Sequence, residues 1–265
     1  MKAWRGRWAV VTGASSGIGW ALAEELAAGG THLVLIARRR ERLEQLAAKL
    51  RSANSINVEV LTADLEQASA PEEIFTFTEN KGLVVDLLVN NAGYGAYGEF
   101  HKSDRGRQLG MVQVNCAAVV HLTHLFLPSM IEGRRGDILI VASTAAFQAV
   151  PYSSTYAATK AFDLLFAEAL AEEVARYGVR VCALCPGSTA TEFGSVAGFR
   201  RRTGIEGEQE TATKVARVGL EALAAGKHSV VSGFNNQLRV QLERLLPRRF
   251  VTVAAAKLFR PDHLR

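Results

Sequence analysis

Short apolar runs alternate with longer stretches in which apolar residues recur every three or four positions, from residue 8 to about residue 232. The short runs Trp8–Val11, His32–Ile36, Asn57–Leu61, Asp86–Val89, Asp137–Ala142, Val179–Leu184 and Ser229–Ser232 predict seven strands. Between them, Ile18–Ala28, Glu41–Leu50, Pro71–Asn80, Asp104–Met130 and Tyr152–Tyr177 predict helices. Glu41–Leu50 is typical, with Leu43, Leu46, Ala47 and Leu50 on one face. Strands alternating with helices imply one α/β domain, a doubly wound seven-stranded parallel sheet with helices on both faces. Residues Gly187–Glu208, rich in glycine and charge, break the pattern. A loop of that length at the carboxyl end of a strand suits a binding loop or lid, ordered by ligand, with Arg200–Arg202 its exposed basic run.

Composition supports a soluble globular chain: 265 residues, 48% hydrophobic and 22% charged. No apolar run approaches the roughly 18 residues that a spanning helix needs. The start, Met1-Lys-Ala-Trp-Arg-Gly-Arg7, has no signal-peptide core, so a cytoplasmic location is expected. Cys182 and Cys185 form a C-x-x-C, but on a strand residues three apart face opposite sides and cannot share a ligand. Buried free thiols and no metal site are therefore expected. The formal charge is +5, and residues 194–265 hold 13 Lys/Arg against 6 Asp/Glu. With no nucleic-acid-binding motif, this basic excess reads as a solvated face, with an anionic substrate or membrane surface as the alternative.

Candidate chemistry begins at Gly13, Gly17 and Gly19. A glycine turn between a strand and a helix lets phosphates approach the backbone and offers them the helix N-terminus. After the second strand stand Arg38, Arg39 and Arg40, with no acid before Glu41. Guanidinium groups favour a ribose 2′-phosphate and a carboxylate would repel it, so NADP(H) is the expected cofactor; a solvated helix start is the plain alternative. Tyr156 and Lys160 lie one helical turn apart, so an ammonium can make the phenol acidic enough to act near neutral pH. Ser143, at a strand's carboxyl end, can hydrogen-bond a substrate oxygen.

Together with Asn90-Asn-Ala-Gly93, these motifs resemble the short-chain dehydrogenase/reductase family in its short single-domain branch, over roughly residues 6–235. The resemblance implies a Rossmann-type fold and hydride transfer between NADP(H) and a carbonyl or alcohol. Ser143, Tyr156 and Lys160 would be catalytic. Asn115 would hold a water in a proton relay with Lys160; by sequence alone it is equally a buried helix polar group. The implied cofactor site comprises Gly13, Ser15, Ser16, Gly17, Ile18, Gly19, Arg38, Arg39, Asp64, Leu65, Asn91, Ala92, Gly93, Tyr156, Lys160, Pro186, Gly187, Thr189 and Thr191, with Asp64 toward the adenine.

Substrate would meet Gly93–Gly95, Ala145–Gln148, Pro151–Ser153, Ser188 and Phe193–Phe199. Tyr94, Phe147, Tyr152, Phe193 and Phe199 favour a lipophilic ketone, steroid or acyl derivative over a sugar. Residues 236–265 read as a basic amphipathic extension with an apolar face at Leu238, Leu242, Leu245 and Leu246. It is expected to pack on the domain or a partner in a homodimer or homotetramer, with a membrane surface as the alternative. The rival functional readings are a non-catalytic NADP(H)-sensing protein on the same fold and a sugar-nucleotide epimerase or dehydratase. The first has no need of an acid-base tyrosine, and the second calls for different glycine spacing.

Overall fold

The computed structural model describes residues 2–198 and 209–264. Its main sheet has seven parallel strands: β1 (Trp8–Thr12), β2 (His32–Ala37), β3 (Val58–Thr62), β4 (Val85–Asn90), β5 (Gly136–Val141), β6 (Val179–Cys185) and β9 (Ser229–Val231). Their spatial order is β3-β2-β1-β4-β5-β6-β9. The order reverses between β1 and β4, which opens a crevice at the carboxyl ends of those strands. Alternate side chains feed two cores. Val11, Leu33 and Leu35 pack on one face with α1 (Gly17–Ala28) and α2 (Arg40–Ala53). Val10, Ile36 and Leu88 pack on the other with α3 (Ala70–Asn80) and the helices after β4. Cys182 and Cys185 fall in opposite cores, as strand alternation requires.

The single helix expected over Asp104–Met130 is divided. It runs as α4 (Arg105–Val112), a π turn (Gln113–Ala117) and α5 (Ala118–Glu132). In the π turn the Ala118 N–H reaches the Gln113 carbonyl, one residue beyond α spacing. Arg105–Glu132 as a whole is long and apolar enough to cross a membrane, contrary to the reading of the sequence. Here Val114, Leu122, Phe126 and Met130 turn inward against the sheet. The helix expected from Tyr152 starts later, as α6 (Ser154–Val174). Tyr152 itself holds a left-handed φ of +64°, tied by the Gly98 N–H donating to its carbonyl at 2.8 Å.

Further elements follow β6. Within the segment read as irregular lie β7 (Thr189–Ala190), which pairs with β8 (Glu210–Thr211), and the short helix α7 (Phe193–Ala197). Phe199, Arg200–Arg202 and the rest of that segment to Glu208 lie outside the described residues. Helix α8 (Ala212–Ala224), absent from the sequence reading, buries Val215, Ala216, Gly219, Leu220 and Leu223 against α1 and β6. The tail forms α9 (Phe234–Leu245) and α10 (Arg248–Phe259). It docks through Val240, Ala255 and a 2.8 Å hydrogen bond from Tyr97 Oη to the Phe259 carbonyl. The predicted face of Leu238, Leu242, Leu245 and Leu246 is exposed in the single chain.

Ahead of β1, Trp4 is the bulkiest fully buried side chain, and its Nε1 donates to Asp137 Oδ2 at 2.7 Å. Asp137 also accepts from Arg180 Nε and Nη2 at 2.6 and 2.9 Å. This buried carboxylate pins the N-terminal segment beneath the amino ends of β5 and β6. Trp4→Phe keeps the ring and removes one charge-assisted bond, so unfolding free energy should fall by about 2 kcal/mol in urea titration. A loss under about 0.5 kcal/mol would show that the bond contributes nothing to stability.

Candidate active site

The glycine turn joins β1 to α1. Gly13 and Gly17 have φ of +67° and +58°, which other residues rarely adopt. A Cβ on Gly13 would stand 2.7 Å from Asn91 Nδ2 and 2.9 Å from Ala92 Cα, so the turn packs directly on the end of β4. Thr12 Oγ1 locks this junction, donating to the Val89 carbonyl and accepting from the Asn91 and Ala92 amides at 2.9 and 3.0 Å. Asn91 Nδ2 donates in turn to the Thr12 carbonyl at 2.7 Å. Ser16 leads into α1 without a side-chain cap, which leaves the first-turn N–H groups of α1 to an outside acceptor. Ile18 packs into the core beneath.

Arg39 reaches back over this turn. Its Nη2 donates to Ser15 Oγ at 3.1 Å and Ser16 Oγ at 2.7 Å, while Nη1 meets Glu192 Oε2 at 2.9 Å. Arg42 Nη1 holds the other Glu192 oxygen at 2.6 Å. Arg38 points away to Glu66 at 3.4 Å and Asp64 at 3.9 Å. Asp64 Oδ1 accepts from the Glu66 amide, and Leu65 is buried in the core, leaving only its backbone for a ligand. Thr191 completes the cradle: a Cβ on Gly17 would meet its Cγ2 at 3.1 Å. These features fit a dinucleotide, with diphosphate on the α1 N-terminus and an anionic group near Arg39.

At the carboxyl end of β5, Ser143 Oγ accepts from the Ala145 amide at 3.1 Å and faces the Tyr156 phenol. Burial pushes the Tyr156 pKa up, while Lys160 and Ser143 pull it down; the net direction is upward. Lys160 lies one turn along α6 and is buried. Its Nζ donates to the Val141 carbonyl at 2.7 Å and to Asp163 Oδ2 at 2.9 Å. Burial works against its charge, but Asp163 and Tyr156 outweigh it and raise its pKa. A Cβ on Gly93 would lie 3.1 Å from Asn115 Oδ1 and 3.4 Å from Lys160 Nζ, so these three positions meet. Asn115 is fully buried in the π turn. Its Nδ2 donates to the Tyr94 carbonyl and Thr159 Oγ1, and its Oδ1 accepts from the Tyr94 amide.

Phe193 on α7 packs on the Tyr156 ring, with centroids 5.2 Å apart. A Cβ on Gly95 would stand 2.9 Å from Phe193 Cζ and 3.4 Å from Tyr156 Cδ2. The loop after β6 supports this cover: the Pro186 carbonyl accepts from the Thr144 amide, Gly187 abuts Asn236, and Thr189 Oγ1 donates to the Gly187 carbonyl. Tyr94, read as pocket lining, instead hydrogen-bonds the Arg107 carbonyl and lies beneath the Arg107 guanidinium. Burial and Glu66 push its pKa to about 12. Phe147 packs toward the core. Arg107 and Asp163 escape the sequence reading, and Thr12 enters it only as the residue that opens the glycine motif. Arg107 Nη2 donates to the carbonyls of Gly95 and Val196, joining α4 to the cover. The sequence signal for Asp163 is an acid inside the apolar helical stretch Ala161-Phe-Asp-Leu-Leu-Phe166.

Residues 7–198 match the family model for short chain dehydrogenases. The very-long-chain 3-oxoacyl-CoA reductase of Bos taurus is 32% identical over 243 residues, covering 89% of this chain and 76% of that one. The inactive hydroxysteroid dehydrogenase-like protein 1 of Homo sapiens is 34% identical over 203 residues, 74% of this chain and 60% of its own. Among solved structures, a short-chain dehydrogenase from Sphingobium yanoikuyae in complex with NADPH superposes with a TM-score of 0.80 and 27% identity, covering 91% and 97% of the two chains. A Burkholderia phymatum short-chain dehydrogenase/reductase in complex with NAD gives 0.81 and 27%, covering 92% and 95%. With a glycine cradle opposite Tyr156 and the buried Lys160, and a family match over most of its length, this chain belongs to the short-chain dehydrogenase/reductase family of NAD(P)-dependent oxidoreductases.

Proposed function

We propose that this protein is an NADP(H)-dependent oxidoreductase that interconverts a carbonyl and a secondary alcohol on a lipophilic substrate. The observation that carries the reading is the Tyr156 phenol, flanked by Ser143 and backed by the buried Lys160 ammonium one helical turn away. When bound, the nicotinamide supplies or accepts the hydride. Ser143 holds the substrate oxygen beside the phenol, Tyr156 donates a proton to it during reduction, and Lys160 lowers the cost of the resulting phenolate. Reduction would break the carbonyl π bond, the C–H bond of the hydride donor and the Tyr156 O–H bond, and make C–H and O–H on the substrate; the reverse sequence oxidises the alcohol. Phe193 and α7 shield this centre from water.

The preference for NADP(H) is argued from Arg39, which sits against both serines of the glycine turn with no acid at the end of β2. The lipophilic class rests on Phe193 and Ala197 over the cleft and on the very-long-chain acyl substrate named for the bovine relative. A relative named inactive keeps the non-catalytic alternative in view; the assembled Ser143, Tyr156 and Lys160 weigh against it. Self-association belongs to the same reading, because α6 leaves Phe162 and Leu165 exposed for a second copy.

A panel of bulky ketones, long-chain acyl ketones and sugars, followed by NADPH absorbance, tests the activity and its substrate class. Tyr156→Phe should lower turnover by roughly three orders of magnitude while NADPH fluorescence titration gives a dissociation constant near wild type. A variant keeping a tenth of wild-type rate would refute the mechanism. Arg39→Ala should weaken NADPH binding by about tenfold or more and leave NADH binding nearly unchanged. Equal weakening of both would place the 2′-phosphate elsewhere.

A further inference from the structure

Lys160 and Asp163 form an ion pair far from water: their side chains are 6% and 1% exposed, with Nζ and Oδ2 2.9 Å apart. An ammonium removed from water without a partner carries a penalty of several kcal/mol, which usually resolves by loss of its proton. A neutral amine in this position would do little to acidify Tyr156. The Val141 carbonyl, 2.7 Å from Nζ, solvates the charge without neutralising it. Asp163 supplies the neutralising charge, and it has no other hydrogen-bonding partner among the described residues: its Oδ1 is buried with none. Each ion therefore depends on the other for keeping its charge.

The pair also fixes direction. An ammonium has three donors, and two are taken by Val141 and Asp163. The third is left for the side of Gly93, where the missing side chain opens space beside Nζ. We propose that Asp163 is a positioning residue for the reaction: its carboxylate keeps the Lys160 ammonium charged and aimed at the catalytic cleft, and so sets the upper pH at which Tyr156 can still act as an acid. This rests on the oxidoreductase reading above for its role in turnover, but the electrostatic coupling is a property of the chain alone.

The titratable neighbours are few. Tyr156 shares the helix, Cys116 faces the pair from the π turn, and Cys185 faces it from β6. Burial pushes the two thiols to about 11 and about 12, so both stay neutral through the working range. The negative charge acting on the Tyr156–Lys160 dyad is therefore that of Asp163, which raises the proton affinity of both members. Removing it makes the dyad give up a proton more readily, whichever member loses it. The alkaline limb of ketone reduction must then move to lower pH.

The test compares wild type, Asp163→Asn and Asp163→Leu; both replacements remove the charge and keep the branched side-chain shape, one polar and one apolar, so one serves if the other fails to fold. Tyrosinate absorbance is titrated on each protein, with the same background carrying Tyr156→Phe subtracted, and kcat/KM for NADPH-driven ketone reduction is measured against pH. The first apparent ionisation of the dyad and the alkaline limb should both fall by about one pH unit or more, the shift expected for a charge a few ångströms away. A variant that folds, loses activity at every pH equally and keeps its limb and tyrosinate transition within about 0.2 units of wild type would show a merely structural acid and overturn the proposal. Because the absorbance titration needs no turnover, lack of activity on every ketone would count against the oxidoreductase reading without blocking this result.

Discussion

Keeping one lysine charged while burying it is the constraint on which the rest of the site depends. In the proposed mechanism the Lys160 ammonium must sit close enough to Tyr156 to favour its phenolate, and that places it among the side chains of α6, the π turn and β5. Three features make this tolerable. The Val141 carbonyl is offered by the end of β5, Asp163 supplies a counter-charge one turn along the helix, and Gly93 leaves room on the remaining side. The π turn serves the same end. By admitting an extra residue it sets Asn115 against Thr159 and the Tyr94 backbone, which holds the Gly93–Gly95 segment beside the lysine.

The parallel sheet delivers the two halves of the site to one edge. The carboxyl ends of β1 and β4 meet at the order reversal, where Thr12 and Asn91 bond each other's backbone and fix the glycine turn. The carboxyl ends of β5 and β6 bring Ser143 and Pro186 alongside. At the opposite edge, Asp137 ties Trp4, β5 and β6 together, so the edge remote from the chemistry carries a large part of the polar anchoring. Between these edges the segment after β6 folds back over the cleft. Glu192 and Arg107 hold it to the cofactor cradle and to α4 respectively.

Much of this is legible in the sequence because the central strands β4, β5 and β6 are almost entirely buried and stand out as apolar runs. The glycine turn, Ser143, Tyr156 and Lys160 are legible because their chemistry needs particular residues at fixed spacing. The losses have physical reasons. A π turn shifts register by one residue without breaking the apolar pattern, so Asp104–Met130 reads as one helix. Helix α8 carries an apolar face at Val215, Leu220 and Leu223, but it follows a long segment rich in glycine and charge that reads as irregular, and the sequence reading passes over it. Trp4 acquires its meaning from Asp137, 133 residues away. The leucine stripe of α9 shows amphipathicity but cannot say whether the domain covers it, and in the single chain Val240 is the residue that turns inward. Asp163 stands in an unusual place for an acid, yet only the fold reveals that it meets Lys160 away from water.

The central claim is that this cleft passes a hydride directly between a nicotinamide and a carbonyl carbon. The most direct measurement is isotope transfer: NADPH carrying deuterium at the transferable position of the nicotinamide ring, incubated with a reducible lipophilic ketone, and the product analysed by mass spectrometry and proton NMR. The account predicts one deuterium at the carbinol carbon, on a single face, with none exchanged into water. Alcohol formed without the label at that carbon, or no product from any ketone under conditions where the folded protein binds NADPH, would contradict it.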